Sequence, residues 1–200
     1  MSFQFIFDNA HNIRIDKQPT VARSITRNNR VSAVVRNGYT YRFTVKMPQG
    51  YPYSLARPYI EDYEELGTYT ADPIIISNSD ITGYRGSATN LAGWTCTGVS
   101  GRTIQGITPS VIPTSGDKIL AAGDYVQLGV GNTYTVVADV VWPASTATVN
   151  RHIQEVGSQN LILGNSVTWD VVCVSMPGWN IFDRDLVEWQ GEFVFYEVVR

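Results

Sequence analysis

Few of the 200 residues have the types and spacing that chemistry requires. Nucleophilic hydrolysis needs a nucleophile, a base and an orienting group held together, and only His11 and His152 supply imidazole. Neither Cys96 nor Cys173 stands in a nucleophile motif, and no G-x-S-x-G elbow occurs. Those two histidines and two cysteines are scattered, with no ligand pair on one turn of backbone as zinc would require. Each cysteine falls within an expected strand and reads as a buried free thiol. Gly98-Val99-Ser100-Gly101 and Gly129-Val130-Gly131-Asn132 look like phosphate-cradling loops, but neither opens a helix or carries the Lys and Ser/Thr of a P-loop. Both read as strand-linking turns, and no cofactor or metal is expected.

Two constellations carry more content. Asp183 and Asp185 flank Arg184, with Glu188 close by, and such carboxylates can act as acid and base in glycoside hydrolysis. The simpler reading is a solvated loop whose arginine pairs with a neighbouring acid. Trp179 follows Pro177-Gly178 in an expected loop, whereas Trp94, Trp142, Trp169 and Trp189 lie in strand patterns. Trp179 is therefore the aromatic best placed for an exposed contact such as a sugar ring. A carbohydrate-binding β-sandwich and, behind it, a glycoside hydrolase are the alternatives to a structural, non-enzymatic role.

The elements that must position these residues are mostly strands. A chain with 44% hydrophobic and 16% charged residues has enough apolar content for a compact core, and its 12% aromatics with 17 Gly and 9 Pro favour β-structure over a helical bundle. Strands are expected at 20–25 and 31–35, with turns at Asn28-Asn29 and Asn37-Gly38, the latter a two-residue hairpin signal. Residues 39–47 alternate strictly, with Tyr39, Tyr41, Phe43, Val45 and Met47 on one face and Thr40, Arg42, Thr44 and Lys46 on the other. One principal helix follows, with Pro58 in its first turn, Leu55, Tyr59, Tyr63 and Leu66 recurring along it and Gly67 ending it. Residues 72–76 form a short apolar strand. Beyond a polar connection at 77–93, short strands broken by glycines about every ten residues indicate a small sandwich or barrel. A looser stretch from His152 to Gly164 precedes two closing strands, 167–175 and 186–199, the last with Val187, Trp189, Phe193 and Phe195 on one face.

The charge is unevenly distributed along this chain. Residues 1–60 hold nine Lys or Arg against Asp8 and Asp16, a balance of +7, while the other 140 hold six basic and sixteen acidic residues, a balance of -10. The basic stretch, with Tyr39 and Tyr41 interleaved, could bind nucleic acid. No nucleic-acid motif accompanies it, and the acidic remainder opposes a polyanion. A basic face docking on an acidic face of an identical neighbour accounts for both signs, through a heterologous, ring-closing contact. Its candidate residues are Arg23, Arg27, Arg36 and Arg42 on the basic side. On the acidic side they are Glu61, Asp62, Glu64 and Glu65 of the helix. No apolar run is long enough to span a membrane and no leader pattern opens the chain, so a soluble, unprocessed protein made in the cytoplasm is expected.

The order of elements resembles a known family. The alternating strand YTYRFTVKM, the helix LARPYIEDYEELG, the short apolar strand, the run ILAAGDYVQLG with YTVVADV after it, and the closing WQGEFVFYEVV look like the distal-tail and baseplate-hub tube proteins of tailed bacteriophages. The resemblance implies a mainly β, tail-tube-like barrel or sandwich with one principal helix, built from residues 1–80 and 165–200, with a small inserted β-module at 81–164. It also implies a virion protein without catalysis. Several copies, six by the family's pattern, would form a ring that extends the tail tube, touches tube, hub and fibre proteins, and lets DNA pass without specific binding.

Overall fold

The computed structural model describes residues 3–25, 31–66 and 70–199, with the side chains of 20–25, 31–38 and 64–66 outside the description. The described elements are, in order, α1 (Gln4–Asp8), β1 (Asn12–Ile25), β2 (Val31–Lys46), β3 (Tyr51–Pro52), α2 (Tyr53–Leu66), β4 (Asp72–Ile75) and α3 (Ser79–Thr82). Short strands follow: β5 (Trp94–Cys96), β6 (Gly98–Ser100), β7 (Thr103–Gln105), β8 (Lys118–Leu120), β9 (Tyr125–Leu128), β10 (Thr133–Thr135), β11 (Val140–Val141), β12 (Ala147–Thr148) and β13 (Gln159–Leu163). A single 3-10 turn at Gly164–Ser166 leads into β14 (Thr168–Ser175), β15 (Gly178–Phe182), β16 (Leu186–Gln190) and β17 (Phe193–Glu197). The protein is mainly β with several antiparallel sheets and few helices, α2 being the long one. Among the described residues no sheet closes into a barrel, and no helix is long and apolar enough to cross a membrane.

The chain forms two compact units, one of residues 1–18, 40–75 and 169–199 and the other of residues 19–39 and 76–168. Residues 19–39 thus fall in the second unit, whereas the sequence reading grouped them with the first. The first unit holds residues 12–18 of β1 and 40–46 of β2 in a sheet ordered β1-β2-β17-β14-β4, and a three-stranded sheet ordered β15-β16-β3. The alternation explains how the larger sheet is buried: Tyr41, Phe43, Val45 and Met47 are buried, while Thr40, Arg42 and Thr44 face the other way and are half-buried; Tyr39, expected on the buried face, is 42% exposed. Phe7 and Phe195 pack at 5.1 Å, Phe43 and Trp169 at 5.6 Å, and Phe3 lies between Phe195 and Tyr63. Aromatic pairs in such tilted and edge-on arrangements add to the burial of their area.

Four local expectations are corrected. Asn37-Gly38 makes no turn, because β2 runs unbroken through it; the dipeptide permits a hairpin turn but does not compel one where strand pairing is available. Asn28-Asn29 lies outside the described residues. The closing strand is two, since the chain passes at Gly191, with φ +136°, from β16 in the smaller sheet to β17 in the larger. Val187, Trp189, Phe193 and Phe195 are nevertheless all buried. The stretch from His152 to Gly164 contains β13, which is central to its sheet. Finally, α2 starts at Tyr53, so Pro58 lies inside it rather than in its first turn.

In the second unit, sheets ordered β10-β9-β13-β5, β12-β7-β6 and β11-β8 contribute to one apolar core. Trp94, Ile104, Leu120, Val126, Tyr134 and Leu161 are among its members. The AAGD turn at 121–124 owes its shape to Asp124, whose carboxylate accepts the Ala121 N–H at 2.8 Å and the Arg85 N–H at 2.9 Å, with Gly123 at φ +96°. Gln127 then holds Thr168, its Oε1 accepting the Thr168 N–H at 2.9 Å and its Nε2 donating to the Gly131 carbonyl at 2.9 Å. The residues that make ILAAGDYVQLG distinctive are thus structural anchors.

Candidate functional site

Among the sequence candidates, the side chains of Arg23, Arg27, Arg36, Glu64 and Glu65 lie outside the described residues. Arg42, Glu61, Asp62 and Trp179 are described and all belong to the first unit. Arg42 stands on the outward face of β2, opposite Tyr196 of β17. Its Nε is buried and finds no acceptor among the described residues. An unsatisfied buried donor is costly, on the order of 1–3 kcal/mol.

Helix α2 begins where it does because of a residue far along the chain. Asp185 accepts the Ser54 N–H and the Ser54 hydroxyl, each at 3.1 Å, and its carbonyl accepts the Tyr53 N–H at 2.5 Å. A carboxylate on the free N–H groups of a first turn both satisfies them and complements the helix dipole. The buried face is Ala56, Ile60 and Tyr63, with Tyr59 stacked on Phe5 at 3.7 Å. Leu55, expected on that face, is 57% exposed. On the acidic side Glu61 is exposed and reaches Arg57 at 3.9 Å, while Asp62 is half-buried with its Oδ2 buried and without a donor among the described residues. The first unit therefore holds a cation and an anion that each retain an unsatisfied atom.

Trp179 is not in a loop. It lies in β15, opposite Trp189, with its indole stacked on Tyr53 at 5.6 Å and 23°, so one ring face is already occupied. Asp183 and Arg184, at φ +44° and +70°, make the turn between β15 and β16, and Asp185 is engaged at the helix. Glu188 has a long contact with Gln49 at 3.5 Å. These carboxylates shape a hairpin and a helix start. Neither described cavity is lined by them: one of about 180 Å³ includes Asn90, Ile112, Thr114 and Asp117, and one of about 370 Å³ includes Leu91, Trp94, Asn160 and Leu163.

Sequence reading missed the polar network of the second unit. Arg151 is only 2% exposed, donates to the Thr133 carbonyl at 2.7 Å and the Tyr39 carbonyl at 3.1 Å, and lies over the Tyr134 ring at 5.1 Å. Glu155 accepts the Asn132 N–H at 2.6 Å and the Tyr134 hydroxyl, whose own proton burial holds far above the ordinary tyrosine range. Nothing in spacing announces these partners, since they meet only after folding. Both cysteines are buried free thiols, and burial pushes Cys173 up to about 11. No family model and no curated protein matches the chain.

Proposed function

We propose that this chain is a structural protein of a bacteriophage tail or baseplate, with a tail-tube-like first unit, forming a ring that extends the tail tube and anchors neighbouring baseplate or fibre proteins. The observation that carries the ring is Arg42, a half-buried guanidinium on the outward face of β2. It comes from the basic part of a chain whose acidic excess lies beyond residue 60. Arg42 is on β2 while Glu61 and Asp62 are on α2 of the same unit, and a contact between two different complementary patches is head-to-tail, giving a ring where its rotation closes. The tail assignment itself is supported by the resemblance in element order; the host cytoplasm would be the place of synthesis and the virion the destination.

Imaging of the purified chain in negative stain tests both parts. Rings or stacked rings are expected, with Arg42→Glu or Glu64→Arg each dispersing them and the double exchange restoring them. A chain that stays monomeric throughout, or rings indifferent to both exchanges, would falsify electrostatic docking through these residues. Calorimetry against a glycan panel addresses the carbohydrate-binding alternative, which requires a heat signal from the monomer.

A further inference from the structure

The sheet edges of the first unit are protected unequally. β1, at one edge of the larger sheet, carries Arg14, Asp16 and Lys17, and β4, at the other, carries Asp72 and Pro73. Charge and proline on an edge strand are what prevent another chain from adding to it. In the smaller sheet β3 is two residues long and includes Pro52. β15 has no such device: Gly-Trp-Asn-Ile-Phe is uncharged and proline-free, and pairs with β16 through five consecutive rungs without a bulge. Its Ile181 and Phe182 are 47% and 40% exposed. Trp179 and Ile181 of β15 stand opposite the buried Trp189 and Val187 of β16. They carry an apolar layer one strand further, to an edge where it stops.

We propose that β15 is the site at which a second copy of this chain adds its own β15, antiparallel, about a two-fold axis through Asn180. In that register all five residues pair. Gly178 meets the partner's Phe182, an aromatic ring covering a glycine, which offsets the missing side chain. Trp179 meets the partner's Ile181, a favourable aromatic and β-branched pair, and no like charges face each other. Sliding the register either way runs one strand onto Pro177, which has no N–H to donate, or into the turn at Asp183 and Arg184. The edge is also held in place, because the hairpin that bears it is tied to α2 through Asp185 and Ser54. This contact joins the same patch on both copies, unlike the head-to-tail contact of a ring, and it does not rest on the ring reading. A molecule that makes both contacts would pair two rings back to back.

Asn180→Cys in the full chain sets two thiols across the axis at the roughly 4.5–5.5 Å Cα separation of facing strand residues, within reach of a disulfide. Phe182→Cys places its two thiols about 13 Å apart along the strands. The native Cys96 and Cys173 are buried and give no background. Mild oxidation is expected to yield a covalent dimer of Asn180→Cys at least about tenfold faster than of Phe182→Cys, as disulfide geometry demands. Equal rates, or no dimer of Asn180→Cys, overturn the proposal. Ile181→Lys, a charge on the edge, is expected to halve the particle mass in sedimentation, and an unchanged mass counts against the contact. Because Arg42→Glu leaves the Asn180→Cys cross-link intact, failure of the ring and failure of this contact are read separately.

Discussion

Asp124 shows at the scale of one residue how a carboxylate is retained for its geometry at an electrostatic cost. Both of its oxygens accept backbone N–H groups, yet burial raises its pKa above the ordinary value of 3.8 despite those bonds. Asp124→Asn keeps one acceptor and turns an N–H₂ group towards an N–H, so a loss of about 1–3 kcal/mol is expected in chemical denaturation. The folded state binds this proton more tightly than the unfolded one, so the contribution of Asp124 to stability falls as pH rises from 3.8 through the raised folded value. Asp139 has the opposite sign: the hydrogen bond from Lys118 lowers its pKa, and its contribution is present above 3.8 and fades as pH falls through the folded value. Stability measured between pH 3 and 6 should therefore decline less with rising pH in Asp124→Asn than in the parent chain. The sequence marked ILAAGDYVQLG as a distinctive run; it could not indicate Arg85, 39 positions upstream, as the second partner of Asp124.

At the scale of elements, what could be read depended on whether the signal was local. The strict alternation of Tyr41, Phe43 and Val45 is a property of adjacent residues, and the buried face of β2 follows it. The start of α2 is not local, because the group that satisfies its first turn is 131 residues away; without it, Pro58 looked like the natural first-turn residue. Asp185→Ala should destabilise the first unit by about 0.5–2 kcal/mol, the usual cost of losing a cap, with the loss visible as a lower Tm. Pro58 lacks the N–H that would bond the Ser54 carbonyl inside the helix. Pro58→Ala, at an exposed position, should gain on the order of 1–3 kcal/mol, the interior-helix penalty of proline less its effect on the unfolded chain. A neutral or negative effect would show that the helix is frayed ahead of Pro58. The candidate surface was legible in charge type but not in its details: Arg42 and Asp62 emerged as the ones with unsatisfied atoms, while Glu61 has Arg57 beside it.

For the whole molecule, the net charge of -3 hides opposed totals of +7 and -10. If copies dock through these charges, raising salt from about 0.05 M to about 1 M shortens the screening length to about 3 Å and should disperse the assembly in sedimentation. An apolar strand-to-strand contact through β15 should persist, so the residual species would be a dimer. The long reach from Asp185 to Ser54 also bears on the order of events during synthesis. α2 leaves the ribosome about 130 residues ahead of its cap, a delay of roughly 7–26 s at ~5–20 residues per second. Residues 76–168 of the second unit are complete before β14 to β17 exist to finish the first. The part of the chain that begins first must wait, with the β17 side of its aromatic strand open, for the part made last, and nascent chains stalled before Asp185 are where chaperones should be found.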